Sequence, residues 1–296
     1  AHETGIDPIE LRLRNLLADE AFPYTSPTGN VYDSGEYALP LRTAAEAVGY
    51  DALRAEQTAR RTRGDTVQLG IGVAAYVEIT AGGSADEYSR VEVHPDGSAT
   101  VYAGTAAHGQ GHQTSFAMLV HAQTGIPLDR IELVDGDTDR VPRGGGTGGS
   151  RSLQIGGSAV RQAAEALVES ARQLAARQLE ADPDDVVVDT TTGTVGVVGV
   201  PATALSWGAL AELAAADEAT LDGTAIFTQA GATFPFGAHI AVVEVDTDTG
   251  AARLVRHVAV DDCGTVLNPL LVQGQQHGGI ASGAGQALYE EVLFRD

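Results

Sequence analysis

Between residues 89 and 104, Val91, Val93, Thr100 and Tyr102 alternate with polar or small neighbours. That period is the one a sheet with one buried face requires, so 89–94 and 98–104 are predicted strands, joined at the hairpin signal Pro95-Asp96-Gly97. Further strands are expected at 69–80 and 130–134, at a pair flanking Thr192-Gly193, and at a hairpin of 238–245 with 252–260 across Asp246-Thr247-Asp248-Thr249-Gly250. Helical spacing begins at Asp7-Pro8-Ile9-Glu10, where Asp is the cap, Pro the first helical residue and Glu closes a capping box, and runs into 11–17. Other helices are predicted at 43–62, 113–124 with Gly125 as C-cap, an alanine-rich 158–179, 206–215 and a glycine-punctuated 269–288, while 19–44 reads as an irregular connection. Strands and helices alternate without strict βαβ order, which favours an α+β fold.

Composition changes this picture in three ways. With 296 residues, 43% of them hydrophobic, the chain can bury a substantial core, and 5% aromatic content makes that core mainly Ala, Val, Leu and Ile. The net charge of −22 argues against nucleic acid or an anionic membrane as partner. One cysteine, Cys263, excludes an intramolecular disulfide and a thiolate metal cluster, which fits a reducing, cytoplasmic setting. No apolar run approaches the roughly 18 residues of a membrane span, and the N-terminus lacks a basic-then-apolar signal pattern. A first helix that starts almost at once, with no initiating Met, makes the chain an expected part of something longer. Three regions are expected: 1–66 as N-terminal helices and a linker ending in Arg60-Arg61-Thr62-Arg63-Gly64-Asp65, 67–232 as a first α+β domain, and 233–296 as the start of a second, with the boundary at the Gly- and Pro-containing stretch 231–237.

The densest chemical signal is Arg143-Gly144-Gly145-Gly146-Thr147-Gly148-Gly149-Ser150-Arg151-Ser152, which has five glycines in six positions just before the alanine-rich helix. Unshielded backbone N–H groups there suit an anion, above all a phosphate. A Walker loop is excluded, because all 18 basic residues are arginine, and the same fact removes Schiff-base chemistry. Three other glycine-containing clusters accompany it: His108-Gly109-Gln110-Gly111-His112, Asp262-Cys263-Gly264, and Gln273-Gly274-Gln275-Gln276-His277-Gly278-Gly279. Glutamine beside glycine offers an amide that both donates and accepts next to approachable backbone, which suits the edge of a pterin or a base. His108 and His112 read better as hydrogen-bonding loop residues than as metal ligands, Asp135 and Asp137 as turn chemistry, and Cys263 as a packed or ligand-lining thiol. Ser150 and Ser152 read as phosphate partners, since no Gly-x-Ser-x-Gly elbow surrounds either.

Taken together the clusters resemble the molybdopterin-binding large subunit of the xanthine dehydrogenase family, the molybdenum hydroxylases. The likeness includes Gly5-Ile6-Asp7-Pro8-Ile9-Glu10-Leu11-Arg12-Leu13-Arg14-Asn15-Leu16, Tyr32-Asp33-Ser34-Gly35-Glu36-Tyr37, His108-Gly109-Gln110-Gly111-His112-Gln113-Thr114, Gly146-Thr147-Gly148-Gly149-Ser150-Arg151-Ser152, and Asp262-Cys263-Gly264-Thr265-Val266-Leu267-Asn268-Pro269 through Gly274-Gln275. The resemblance implies two elongated mixed domains holding a molybdenum–pterin cofactor, often as a cytosine dinucleotide, in a cleft between them. It implies that Gln110 and Gly111 meet the pterin, that Thr147, Gly148, Gly149, Ser150 and Ser152 hold the pterin and its phosphate, and that Cys263 and Gln275 contact the cofactor from the second domain. Ile79, in the stretch 79–83, falls where substrate-lining residues lie in relatives.

The reaction this implies is hydroxylation of an aldehyde or an electron-poor aromatic carbon with oxygen from water. Electrons then leave through [2Fe-2S] clusters and FAD on small and medium partner subunits, in an assembly expected to be a dimer of heterotrimers. The family's catalytic glutamate is expected beyond residue 296, and neither Glu290 nor Glu291 occupies its motif, so no catalytic residue is assigned here. The alternative is a truncated, catalytically inert cofactor-binding or assembly partner.

Overall fold

In chain order the computed structural model contains α1 (Pro8–Leu13), β1 (Tyr24–Thr25), β2 (Val31–Tyr32), α2 (Ala38–Val48), α3 (Tyr50–Arg63), β3 (Val67–Val77), β4 (Asp86–Val93), β5 (Ala99–Ala103), α4 (His112–Thr124) and β6 (Ile131–Val134). There follow a π-helical turn (Ser152–Gly157), α5 (Ser158–Leu179), β7 (Val186–Asp189), β8 (Thr194–Val197), β9 (Leu205–Ser206), α6 (Trp207–Ala216), β10 (Leu221–Thr228), β11 (Phe236–Asp246), β12 (Ala252–Asp262) and α7 (Pro269–Leu288). The structure describes residues 1–82 and 86–295, so Gly83 of the expected substrate-lining stretch lies outside the described residues. Helices and sheets mix as α+β. Among the described residues no helix is long and apolar enough to cross a membrane.

The chain divides into two units, Ala1–Ile79 with Thr233–Asp296, and Thr80–Ala232. In the first unit the antiparallel sheet β12-β11-β3 turns Ala238, Ile240 and Val242 toward Leu41, Ala44 and Val48 of α2 and Leu69 of β3, all buried. Asp7 caps α1 as expected, accepting from Ile9 N at 2.8 Å, and its other oxygen accepts the Tyr50 hydroxyl at 2.9 Å. Burial, and then that bond, push the Tyr50 hydroxyl up to about 12. The expected boundary at 66/67 falls inside this unit, because β3 pairs along its whole length with β11, a partner far away in sequence.

The second unit is built on the sheet β10-β4-β5-β6 with α5 across it. Val160, Ala163, Ala164, Leu167 and Ala171 of α5 are fully buried against that sheet. Small side chains let the helix lie close, and Gly223 of β10 closes the fit: a Cβ there would stand 2.1 Å from Leu167 N and 2.2 Å from Ala163 O. Burying a side chain such as Leu167 stabilises by roughly 1.5–3 kcal/mol, so the alanine face contributes by closeness and the few large residues by area.

Several expectations need correction. The helix expected over 43–62 is two helices, broken at Gly49, whose φ of 72° makes it a left-handed cap that ends α2. The first helix stops at Leu13, short of residue 17. The connection 19–44 contains the small β1–β2 ladder and the first half of α2. Strand β10 was not foreseen: Asp222 and Gly223 depress its strand propensity, and its pairing with β4 overrides that.

Candidate functional site

The glycine loop has two halves with different physics. In the inner half, Gly144 packs against Gly104, where an added Cβ would meet Gly104 O at 2.2 Å, and a Cβ on Gly145 would meet the Arg151 guanidinium at 2.2–2.4 Å. These glycines are required by protein packing. The reason is Glu87: its side chain is completely buried on the inward face of β4, accepts Gly145 N on both oxygens at 3.1 Å, and pairs with Arg151 Nη2 at 3.1 Å. Arg151 also donates to Asp86 O at 3.1 Å, and Arg143 pairs with the Asp86 carboxylate.

The outer half is open. Gly146 and Gly149 take φ of 71° and 56°, Ser150 follows at 56°, and nothing stands within 4 Å of a Cβ built on Gly146, Gly148 or Gly149. Among the described residues no hydrogen bond uses the N–H groups of Thr147, Gly148 or Gly149. Three adjacent donors are therefore presented beside the π-helical turn that leads into α5, an arrangement suited to an anion.

The loop is braced against residues 105–111. Thr147 Oγ1 lies 2.6 Å from Ala106 O and 3.0 Å from Ser152 Oγ. A carbonyl only accepts, so the threonine proton goes to Ala106 and the Ser152 proton to Thr147. Ser152 thus braces the loop through Thr147, beside the open donors. Gln110 Oε1 accepts His108 N at 2.6 Å, which leaves the amide Nε2 as a donor. Asp137 Oδ1 accepts Asp139 N at 3.0 Å in a local turn, whereas Asp135 Oδ2 accepts Ala107 N at 3.0 Å across 28 residues and so ties the end of β6 to the 105–111 segment. His108 is exposed, whereas His112 is buried and stacked on Phe116 at 5.2 Å, and burial lowers its pKa. Gly111, with φ of 80°, turns the chain into α4.

The remaining expected residues belong to the first unit. Cys263 is exposed in a turn closed by Gly264 N donating to Asp262 Oδ1 at 2.8 Å; Gln275 is exposed on α7, and Ile79 is exposed beyond β3. Beside them lies a cluster the sequence did not reveal. Asp261 accepts the Tyr76 hydroxyl at 2.8 Å and His239 Nε2 at 3.0 Å on one oxygen, and Gln276 Nε2 at 2.8 Å on the other. Since His239 Nε2 must donate to the carboxylate, its Nδ1 accepts from His257 Nε2 at 3.1 Å, which fixes both tautomers. Burial alone would raise Asp261, but the bonds from Gln276, Tyr76 and His239 outweigh it and hold the carboxyl below its usual range. Burial, reinforced by His239, lowers His257.

Glu87 had one legible signal, a glutamate in the inward register of a strand whose positions 89, 91 and 93 face the core. The Asp261 cluster had none, because its members come from three strands and a helix.

The family is decided by a profile described as the molybdopterin cofactor-binding domain, which matches residues 43–296. The chain belongs to the molybdopterin-binding large subunits of the xanthine dehydrogenase family. Among its relatives in this family is the carbon monoxide dehydrogenase large chain of Afipia carboxidovorans, 35% identical over 313 residues that cover 99% of this chain and 38% of that one. Another is the 6-hydroxypseudooxynicotine dehydrogenase complex subunit gamma of Paenarthrobacter nicotinovorans, 35% identical over 309 residues with 99% and 38% coverage. Solved structures of the Cu,Mo-CO dehydrogenase and of quinoline 2-oxidoreductase from Pseudomonas putida 86 match with TM-scores of 0.88 and 0.86, each at 34% identity over 100% of this chain and 39% of theirs. The chain spans about two-fifths of the length of these relatives. A molybdopterin fits the residues present: the open N–H groups at 147–149 suit its phosphate and the free Gln110 amide donor suits an acceptor on its heterocycle.

Proposed function

We propose that this chain is the cofactor-holding part of a molybdenum hydroxylase of the xanthine dehydrogenase and aldehyde oxidase type, acting on an aldehyde or an aromatic heterocycle in the cytoplasm. The observation that carries the reading is the outer half of the glycine loop, where the adjacent N–H groups of Thr147, Gly148 and Gly149 have no partner among the described residues and the Cβ positions of Gly146, Gly148 and Gly149 are open, in a chain of this family. Thr147, Gly148 and Gly149 bind the phosphate through backbone, Ser150 flanks them, Thr147 and Ser152 keep the loop closed on Ala106, and Gln110 orients the ring by donating from Nε2. Backbone donors held in place before the ligand arrives lose little on binding, which is how such a loop gains affinity without a cationic side chain. Bound molybdopterin, in its mononucleotide or cytosine-dinucleotide form, supplies the redox chemistry that hydroxylates with water-derived oxygen. Gly111, Cys263 and Gln275 are further cofactor contacts in this reading, and Ile79 a substrate contact. Partner subunits with [2Fe-2S] and FAD would carry the electrons away, in a dimer of heterotrimers.

Metal and pterin analysis of the complex purified with its partner subunits tests this directly. About one molybdenum and one pterin per chain are expected. A correctly assembled complex with neither would refute the proposal, and would favour the inert assembly partner.

A further inference from the structure

Glu87 poses a problem that the cofactor reading by itself does not solve. A carboxylate with no exposure, set on the same inward strand face as Ser89, Val91 and Val93, loses its hydration and, among the described residues, recovers it through Gly145 N–H, Arg151 and the neighbouring Tyr88 N–H at 3.4 Å. Replacing such a pair by apolar residues is often neutral for stability, so stability gives a weak reason for it; what a buried pair can impose is one geometry. Here that geometry is the glycine loop. The two ends of the loop, Gly145 and Arg151, are both tied to one carboxylate, and the open donors at 147–149 lie between those ties. One buried group thus ties both feet of the arch, while Gly146 N to Gly104 O at 3.2 Å, Ala81 N to Gly149 O at 2.7 Å and Thr147 Oγ1 to Ala106 O at 2.6 Å brace its middle. Arg151, moreover, spends its charge inward: its Nη2 serves Glu87 and Asp86 O, and its Nη1 reaches Gly145 O at 3.5 Å.

We propose that Glu87 is a positioning residue which, by anchoring both feet of the 145–151 arch, holds the backbone donors of Thr147, Gly148 and Gly149 in the spacing that takes a phosphate. The inference rests on the reading of that arch as the cofactor's phosphate site. It goes beyond it in assigning the anion affinity to an internal carboxylate that never touches the anion. Arg151, the cation nearest in sequence, then acts by tethering rather than by charge on the ligand.

The test is Glu87→Gln, with Glu87→Asp as a companion, in the full complex co-expressed with its partner subunits. Hydrogen exchange of peptides covering 143–152 is measured beside molybdenum and pterin content, with exchange in α5 reporting the fold. The amide of Glu87→Gln can still accept from Gly145, but its NH₂ must face a donor, so exchange in the arch is expected to rise at least tenfold while α5 keeps its protection. Molybdenum and pterin content is expected to fall several-fold. Glu87→Asp, which keeps the charge on a shorter arm, is expected to restore part of both. Exchange in the arch unchanged in Glu87→Gln overturns the proposal, as does faster exchange with full cofactor content. Faster exchange throughout the unit in both variants also overturns it, since Glu87 would then serve the fold alone. If the parent complex holds no molybdopterin, the cofactor reading fails on that measurement while the exchange result still decides whether Glu87 sets the arch.

Discussion

Three donors converge on Asp261, and removing half of its accepting capacity has a calculable consequence. In Asp261→Asn one oxygen becomes an NH₂ group, so Tyr76 and His239 on one side or Gln276 on the other meets a donor instead of an acceptor. If the remaining oxygen keeps the two donors from β3 and β11, it is Gln276, and with it the start of α7, that loses its hold. A buried donor left without a partner costs about 1–3 kcal/mol. Because the Asp261 side chain is 15% and His239 29% exposed, water can compensate in part, and the lower end, about 1 kcal/mol, applies. That corresponds to a fall in melting temperature of roughly 2–4 °C for a unit of this size. The α7 helix has no buried residue, so little else resists the loss, and exchange at its first turns should rise more than exchange in β11. Thermal denaturation and peptide-level hydrogen exchange read both. An unchanged melting temperature together with unchanged protection over 269–276 would refute the claim that the carboxylate anchors the helix.

Gly145→Ala and Gly148→Ala separate the two halves of the glycine loop. The first forces a Cβ to 2.2 Å from the Arg151 guanidinium and should cost about 1–3 kcal/mol in a denaturant titration, whereas the second has open space and should stay within about 0.5 kcal/mol while lowering molybdopterin content. In β10, Gly223→Ala drives a Cβ to 2.1 Å from Leu167 N, a backbone atom that cannot swing aside, and about 3 kcal/mol of destabilisation is expected. Acid should weaken the first unit in two steps. His257 has a lowered folded pKa, so its neutral form is favoured on folding; its contribution is complete above the unfolded value of about 6.5 and is lost as pH falls below that. Asp261, also lowered, contributes above its unfolded value of about 4 and is lost only in stronger acid. A melting temperature that rose on acidification from neutrality would contradict both.

Local pattern alone determined a good deal. Period-2 alternation marked β4, whereas β5 is buried on both faces; the Asp7 cap and proline marked the start of α1, and Gly125 as C-cap marked the end of α4, because these are decided by neighbours within a few residues. The four glycine clusters carried the resemblance to the molybdopterin family before any geometry was known, and the lack of lysine excluded a Walker loop. Tertiary structure decided what local pattern could not carry. It joined β3 to β11 and made 1–79 part of the same unit as 233–296. It brought Glu87 to Gly145 and Arg151 across separations of 58 and 64 residues, dividing five similar glycines into two that packing requires and three that stand open. It also assigned the single Ser152 proton to Thr147. The physical reason is common to all of these: a glycine's neighbours, a carboxylate's partners and a hydroxyl's proton are settled by atoms within about 3 Å in space, and the spacing of residues along the chain does not record which atoms those are.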